Sequence, residues 1–266
     1  MGKERIEKVF KEKLANREKL FVPYIMAGDG GLDILQERIQ FLEDSGVSAI
    51  ELGIPFSDPV ADGPTIQKAG LRSLKEGTTL KGVLEKLKEF KEETTVPIII
   101  MTYINLVFRY GLEKFAEDAR VAGVDGVIIP DVPMEEEDLV TEYLKRNDIA
   151  FIRLVALTSS EDRIKEIARR SEGFLYAVSV MGTTGSRKTH EEQVEDYLKK
   201  LKEYSSVPVL AGFGISSVEQ ARKLSAHCDG VIVGSRIVDL FHEGKEEEVK
   251  ALIQGSIQKL EPSHQE

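Results

Sequence analysis

The sequence contains no Trp, one Cys and four His, and each scarcity removes a class of chemistry. Cys228 has no partner for an intrachain disulfide and none for a thiolate metal cluster, which fits a reducing compartment. His190, His227, His242 and His264 form no zinc-type pair, and none falls in an apolar strand-like run. A metal-dependent aldolase is therefore disfavoured. No Lys sits in such a run either, which weakens a Schiff-base mechanism. The G-x-S-x-G elbow and the P-loop are both missing. Positive charge is in short supply, with 36 Lys and Arg against 46 Asp and Glu and a net charge of -10. That excludes a general polyanion binder but leaves room for a local site for one phosphate. No apolar run approaches the roughly 20 residues of a membrane span. The opening "MGKERIEKVFKEKLANREKL" lacks the apolar centre of a signal peptide. Ile6 stands where a myristoylation pattern needs Ser or Thr after Gly2. A soluble cytoplasmic protein is expected.

What is present is a regular alternation. Eight short apolar runs recur: "LFVPYIM", "SAIELG", "VPIIIMT", "VDGVIIP", "IAFIRLV", "GFLYAVS", "VPVLAG" and "CDGVIV". They are rich in Val and Ile and lack polar alternation, as parallel strands buried on both faces do. Amphipathic stretches separate them. "LDILQERIQFLEDSG" places Leu32, Leu35, Ile39 and Leu42 on one helical face and stops at Gly46. Eight strands, each followed by a helix, predict a (β/α)8 barrel in one domain spanning residues 1–266. An extra helix precedes the first strand, and a short one, "GSRIVDLF", follows the eighth. "SGVSAIELG", "AGVDGVIIP" and "AHCDGVIVGS" echo one another as half-units of similar geometry. An open doubly wound sheet is the competing fold, but its first turn would carry a dinucleotide fingerprint that "MAGDGG" does not match.

In such a barrel the chemistry sits at the C-terminal ends of the strands. Strand alternation puts Ala49 and Glu51 on one face and Ile50 and Leu52 on the other. The bulky pair should face the helices, so Glu51 should point into the barrel. Buried carboxylates are uncommon unless paired or functional, and desolvation should raise this one's pKa into the range useful for proton transfer. In the following loop, Asp58 before Pro59 suits a turn. Asp62, just before "GPTIQKAGLRSL", reads equally as a helix start or as a second functional acid. Later strand ends carry small residues in "MGTTGSRKT", "AGFGISS" and "VGSRIV". Glycines let backbone N–H groups approach an anion, and three such ends in neighbouring positions point to a phosphate. Acid–base chemistry by carboxylates on a small phosphorylated substrate is what remains.

The segment "ELGIPFSDPVADGPTIQKA" closely resembles the signature of the tryptophan synthase alpha chain family. The resemblance continues through "FVPYIMAGD", "MTYINLVFRYG", "GVIIPDVPMEE", "GFGIS" and "VGSRIV", in order and at compatible spacing, over nearly the whole chain. It implies retro-aldol cleavage of indole-3-glycerol phosphate to indole and glyceraldehyde 3-phosphate, with no metal and no cofactor in this chain. Carried over by position, Glu51 is the main acid–base residue and Asp62 the second catalytic carboxylate. Tyr24 stands where an aromatic, often Phe, lines the indole pocket, and Tyr176 matches a tyrosine near the site. Gly185, Gly214, Gly234 and Ser235 match phosphate-binding positions, with Thr184 and Phe213 beside them. The resemblance also implies a beta chain that carries pyridoxal phosphate. Pro55, Asp58, Asn105 and Phe108 are the expected contact residues for it. Ile104, Leu106 and Val107 add apolar surface to what reads as a loop, although these side chains could instead cap the barrel core. "MGTTGSRKTH" is expected to be a lid that closes with Thr184 on Asp62. Alternatives are a stand-alone indole-forming lyase, another phosphate-sugar barrel such as an epimerase, and a subunit that mainly activates a partner enzyme. "YINLVF" and "MAGDGG" depart from the family's commoner loop sequences, which bears on partner affinity rather than on the reaction.

Overall fold

The computed structural model describes residues 2–178 and 190–257. Among these residues nine strands lie in one sheet: β1 (Leu20–Met26), β2 (Ile50–Gly53), β3 (Ile98–Met101), β4 (Gly126–Ile128), β5 (Ala150–Phe151), β6 (Arg153–Ala156), β7 (Leu175–Val178), β8 (Val209–Gly212) and β9 (Gly230–Val233). Every pairing is parallel, and the order runs β5-β4-β3-β2-β1-β9-β8-β7-β6. The two edges of this order are consecutive in sequence. β5 and β6 are one apolar run, "IAFIRLV", interrupted only at Ile152. Its first half pairs with β4 and its second with β7, so the sheet curls round on itself. The fold is a (β/α)8 barrel, and the eight expected runs supply all nine strands.

Period-two alternation sorts the strand side chains. Leu20, Val22, Ala49, Ile99, Ile128, Phe174, Leu210 and Ile232 form one buried cluster inside the barrel. Ile50, Leu52, Ile98, Ile100 and Val127 belong to a second cluster under the surrounding helices. Helix α1 (Lys3–Ala15) adds Ile6 and Phe10 to the inner cluster, with the Phe10 ring 5.8 Å from that of Phe174. It is pinned there because the buried Asp125 carboxylate accepts from the Gly2 N–H at 2.7 Å and pairs with Arg5. The helix therefore plugs the N-terminal end. Asp125 also accepts from the Ile98 N–H at 2.9 Å, and Asp229 accepts from the Val209 N–H at 2.8 Å. The half-unit echo in the sequence thus has a physical counterpart: an Asp before a strand tethers the preceding strand in each half.

Among the helices, α2 (Leu35–Asp44) starts three residues later than its apolar spacing suggests. α3 (Pro64–Lys75) and α4 (Leu80–Phe90) follow β2. The segment read as a loop after β3 is helix α5 (Ile104–Tyr110), whose first N–H is capped from a distance by Asp131 at 3.0 Å. α6 (Leu112–Val121), α7 (Asp138–Arg146), α8 (Glu161–Arg170), α9 (His190–Tyr204) and α10 (Val218–Ser225) cover the later strands. The expected short helix after the last strand is α11 (Ser235–His242), and α12 (Glu246–Ile257) closes the chain's described part. Among the described residues no helix is long and apolar enough to cross a membrane.

Candidate active site

Glu51 lies on β2 with its Cα paired to Tyr24 on one side and Ile99 on the other. It is 2% exposed, and it shares the inward face with Ala49. Its Oε2 has no hydrogen-bond partner among the described residues. Burial, followed by the charge of Asp62, raises its pKa to about 8. A carboxyl group in this setting is neutral at pH 7 and can give up a proton.

Asp62 sits at the end of the loop that follows β2. Helix α3 starts without it: Gly63 is the N-cap, Pro64 takes the first helical position, and no side chain caps the end. The helix-start alternative is thereby removed, and the carboxylate is left half-buried and facing Glu51's side of the barrel. Burial lifts its pKa to about 6, against a hydrogen bond from Tyr103 that pulls it down. Tyr103 was not expected. Its hydroxyl also accepts from the Ala61 N–H at 3.1 Å, and its ring stacks on Phe56 with centroids 5.2 Å apart. One phenol thus grips the loop on both sides of the peptide that carries the acid. Strand parity held the clue, because Ile99, Met101 and Tyr103 alternate onto the inward face.

Tyr24 and Tyr176 reach the mouth of the barrel from β1 and β7. Each brings its phenol end over a strand-end glycine of the adjacent strand. A Cβ on Gly53 would sit 1.9 Å from the Tyr24 hydroxyl, and one on Gly212 would sit 2.3 Å from Tyr176 Cε2. Only glycine leaves room for these rings. Burial and then the nearby carboxylates push both phenol pKa values up, so both hydroxyls keep their protons.

On the far side, Gly234 is the N-cap of α11 and Ser235 its first residue, with no side-chain cap. The uncapped N–H groups of that turn present a positive dipole end. A Cβ on Gly234 would lie 3.6 Å from Tyr24 Cβ, so this helix end adjoins Tyr24, the register partner of Glu51. Gly214 takes a left-handed φ of +66°, and it needs glycine for the turn itself. Gly212, Phe213, Gly214 and Gly63 line one side of a cavity of about 710 Å³. Thr184, Gly185 and the rest of the expected lid up to residue 189 lie outside the described residues, and its last residue, His190, starts α9.

Of the expected contact residues, Asp58 is exposed, with its carboxylate accepting from Ser57 Oγ at 2.5 Å, while Pro55 is buried. Asn105 and Phe108 are exposed on α5. Phe108 is 48% exposed, whereas Val107 is buried and Ile104 and Leu106 pack against the outer core. Val60, 83% exposed in the Asp62 loop, is a further apolar side chain on this rim that sequence reasoning did not single out. Among the described residues no group of three His, Cys, Asp or Glu side chains is placed to hold a metal ion.

The sequence model of the tryptophan synthase alpha chain family matches residues 10–264. The chain belongs to that family. The tryptophan synthase alpha chain of Oceanobacillus iheyensis is 61% identical over 257 residues, covering 97% of this chain and 98% of that one. Among solved structures, tryptophan synthase subunit alpha from Legionella pneumophila superposes with a TM-score of 0.86 at 33% identity, over 96% of this chain and 97% of that one. An aminoacrylate-bound tryptophan synthase from M. tuberculosis gives 0.84 at 30% identity, over 95% and 97%. Sequence and fold therefore agree over nearly the full length of this tryptophan synthase alpha chain family member.

Proposed function

We propose that Glu51 and Asp62 carry the lyase reaction of this alpha chain, the retro-aldol cleavage of indole-3-glycerol phosphate to indole and glyceraldehyde 3-phosphate in tryptophan biosynthesis. The supporting observation is the pair itself: a buried Glu51 that is neutral at pH 7 beside a half-buried Asp62 that is largely ionised. Neighbouring carboxyl groups whose environments set different protonation states can act as acid and base together.

Direct rupture of the C–C bond would expel a carbanion from indole C3. Protonation of C3 first turns the ring into an indolenine, which accepts the bonding electrons. Glu51 delivers that proton, and the resulting carboxylate takes one from the glycerol hydroxyl as its carbon becomes the aldehyde. Protons balance, and Glu51 ends as it began. Asp62 accepts from the ring N–H and stabilises the positive charge that develops there. Tyr24 and Tyr176 wall the indole pocket. The α11 N-terminus at Gly234 and Ser235, with Gly214 and Phe213, receives the phosphate through backbone N–H groups. Thr184 and Gly185 are assigned to the same ligand by position in the family.

In this reading the chain uses no metal or cofactor, works as one domain in the cytoplasm, and passes indole to a pyridoxal-phosphate-bearing beta chain. The rim that presents Asp58, Val60, Asn105 and Phe108, with Pro55 behind it, is the docking face. Glu51→Gln tests the central assignment. The amide fits the same space but cannot exchange the proton, so the folded variant should lose about 10²–10⁴-fold in turnover. Near-wild-type cleavage would sink the reading.

A further inference from the structure

Among the described residues three buried polar groups near the C-terminal strand ends are under-satisfied: Glu51 Oε2, the Tyr24 hydroxyl and Thr102 Oγ1. The first two share the inward face of adjacent strands, whereas Thr102 alternates onto the outward face. Glu51 Oε2 has no partner among the described residues. Among the described residues the Tyr24 hydroxyl, on a side chain 5% exposed, reaches only the Met26 sulfur at 4.0 Å, a weak acceptor. Tyr24 and Glu51 are register partners on the inward face. The hydroxyl already lies over Glu51's own strand, 1.9 Å from where a Gly53 Cβ would be. The other phenols are placed differently. Tyr176 lies over Gly212, on a strand separated from β2 by β1 and β9 in the sheet order. The Tyr103 hydroxyl is engaged by Ala61 and Asp62.

A neutral Glu51 tolerates this surrounding. An ionised one does not, because a buried carboxylate without a donor bears its full desolvation cost. Among the described residues the groups facing Glu51 are Asp62 from the loop and the phenols of Tyr24 and Tyr176, and Asp62 is the charged group that acts on it. No cation among the described residues offsets the charge that appears when Glu51 gives up its proton.

We propose that Tyr24 is a positioning residue whose hydroxyl donates a hydrogen bond to the Glu51 carboxylate during the ionised stage of the cycle, holding it aimed until the glycerol proton returns. Tyr24 keeps its own proton throughout, and no bond to it is made or broken. The inference rests on the reading of Glu51 as proton carrier and adds a residue that acts through it. It also gives a reason for a hydroxyl at a position where the ring alone would line an indole pocket.

The test is Tyr24→Phe, which keeps the ring and removes only the donor. Glu51 is titrated in the ligand-free protein through its ¹³C-labelled side-chain carboxyl resonance, assigned with Glu51→Gln. The midpoint should rise by about one pH unit, a tenfold change in the ionisation constant. The basic limb of the kcat profile should move the same way. kcat should fall about 10- to 100-fold, the range for a hydrogen bond to a charged group, with KM within about twofold. Tyr176→Phe should leave the Glu51 midpoint in place. An unchanged midpoint in Tyr24→Phe, or a shift produced by Tyr176→Phe instead, overturns the proposal. The resonance needs no turnover, so failure of the lyase assignment, read from Glu51→Gln activity, shows separately.

Discussion

At the scale of single residues, the decisive property is the separation of two protonation states. Burial, followed by the charge of Asp62, pushes Glu51 up to about 8, and burial pushes Asp62 up to about 6. In the proposed mechanism cleavage needs the first protonated and the second ionised. Activity should therefore rise through about pH 6, peak near neutrality and fall through about pH 8, measured as kcat/KM for indole-3-glycerol phosphate. A profile flat to pH 9.5 would contradict the acid role of Glu51. Stability carries the same signature. The folded-state pKa of Glu51 is raised above its unfolded value of 4.5. The stability linked to its neutral form is thus fully present below pH 4.5 and is lost as pH rises to about 8. Glu51→Gln, which does not ionise, should melt later than the parent at pH 8, by on the order of a few kcal/mol. The difference should close by pH 4.5. Melting curves at both pH values check the sign.

At the scale of elements, the strand ends shape the pocket. Gly53 and Gly212 close β2 and β8 with no side chain, and the tyrosines of β1 and β7 fill the vacated space. Gly53→Ala should force the Tyr24 ring out of its slot. The expected cost is about 1–3 kcal/mol, typical of overpacking, together with a large loss of turnover. Thermal melts and kinetics on the same preparation check it, and a wild-type melting temperature would show that the ring moves freely. The strands themselves were readable from their Val- and Ile-rich runs. α5 was not, because "YINLVFRY" is short and its start is capped by Asp131 from the loop after β4, a partner 27 residues away. Tyr103 escaped notice for a related reason. Its hydroxyl has a role only once β3 stands beside the Asp62 loop.

At the scale of the whole molecule, the two ends of the barrel are unlike. The N-terminal end is sealed by α1 with Ile6 and Phe10 and anchored through Asp125. The C-terminal end holds the acids and carries exposed Val60 and Phe108 on its rim. An apolar rim around the site proposed to release indole suits a docking partner. Partner binding should also bias the Asp62 loop towards one conformation, because Val60 lies within it. Phe108→Asp should keep its fold, since the side chain is half exposed. It should weaken binding of a cognate beta chain at least tenfold and blunt activation of the lyase. Titration by calorimetry and by indole release reads both, and undiminished binding and activation would remove α5 from the interface.

The sequence by itself determined the strand runs, their inward and outward faces and the position of Glu51, because period-two alternation and burial are local properties of the chain. Its family motifs likewise singled out Asp62, Tyr176 and the glycines proposed to receive the phosphate. Tertiary structure alone decided that Asp62 is not a helix cap, that Tyr103 grips its loop, that Tyr24 lies over Gly53 beside an unpartnered Glu51 oxygen, and that Phe108 is exposed while Val107 is buried. Each of those facts is a distance between segments remote in sequence. The pKa values follow from them, since desolvation and a neighbouring charge exist only after the barrel has closed.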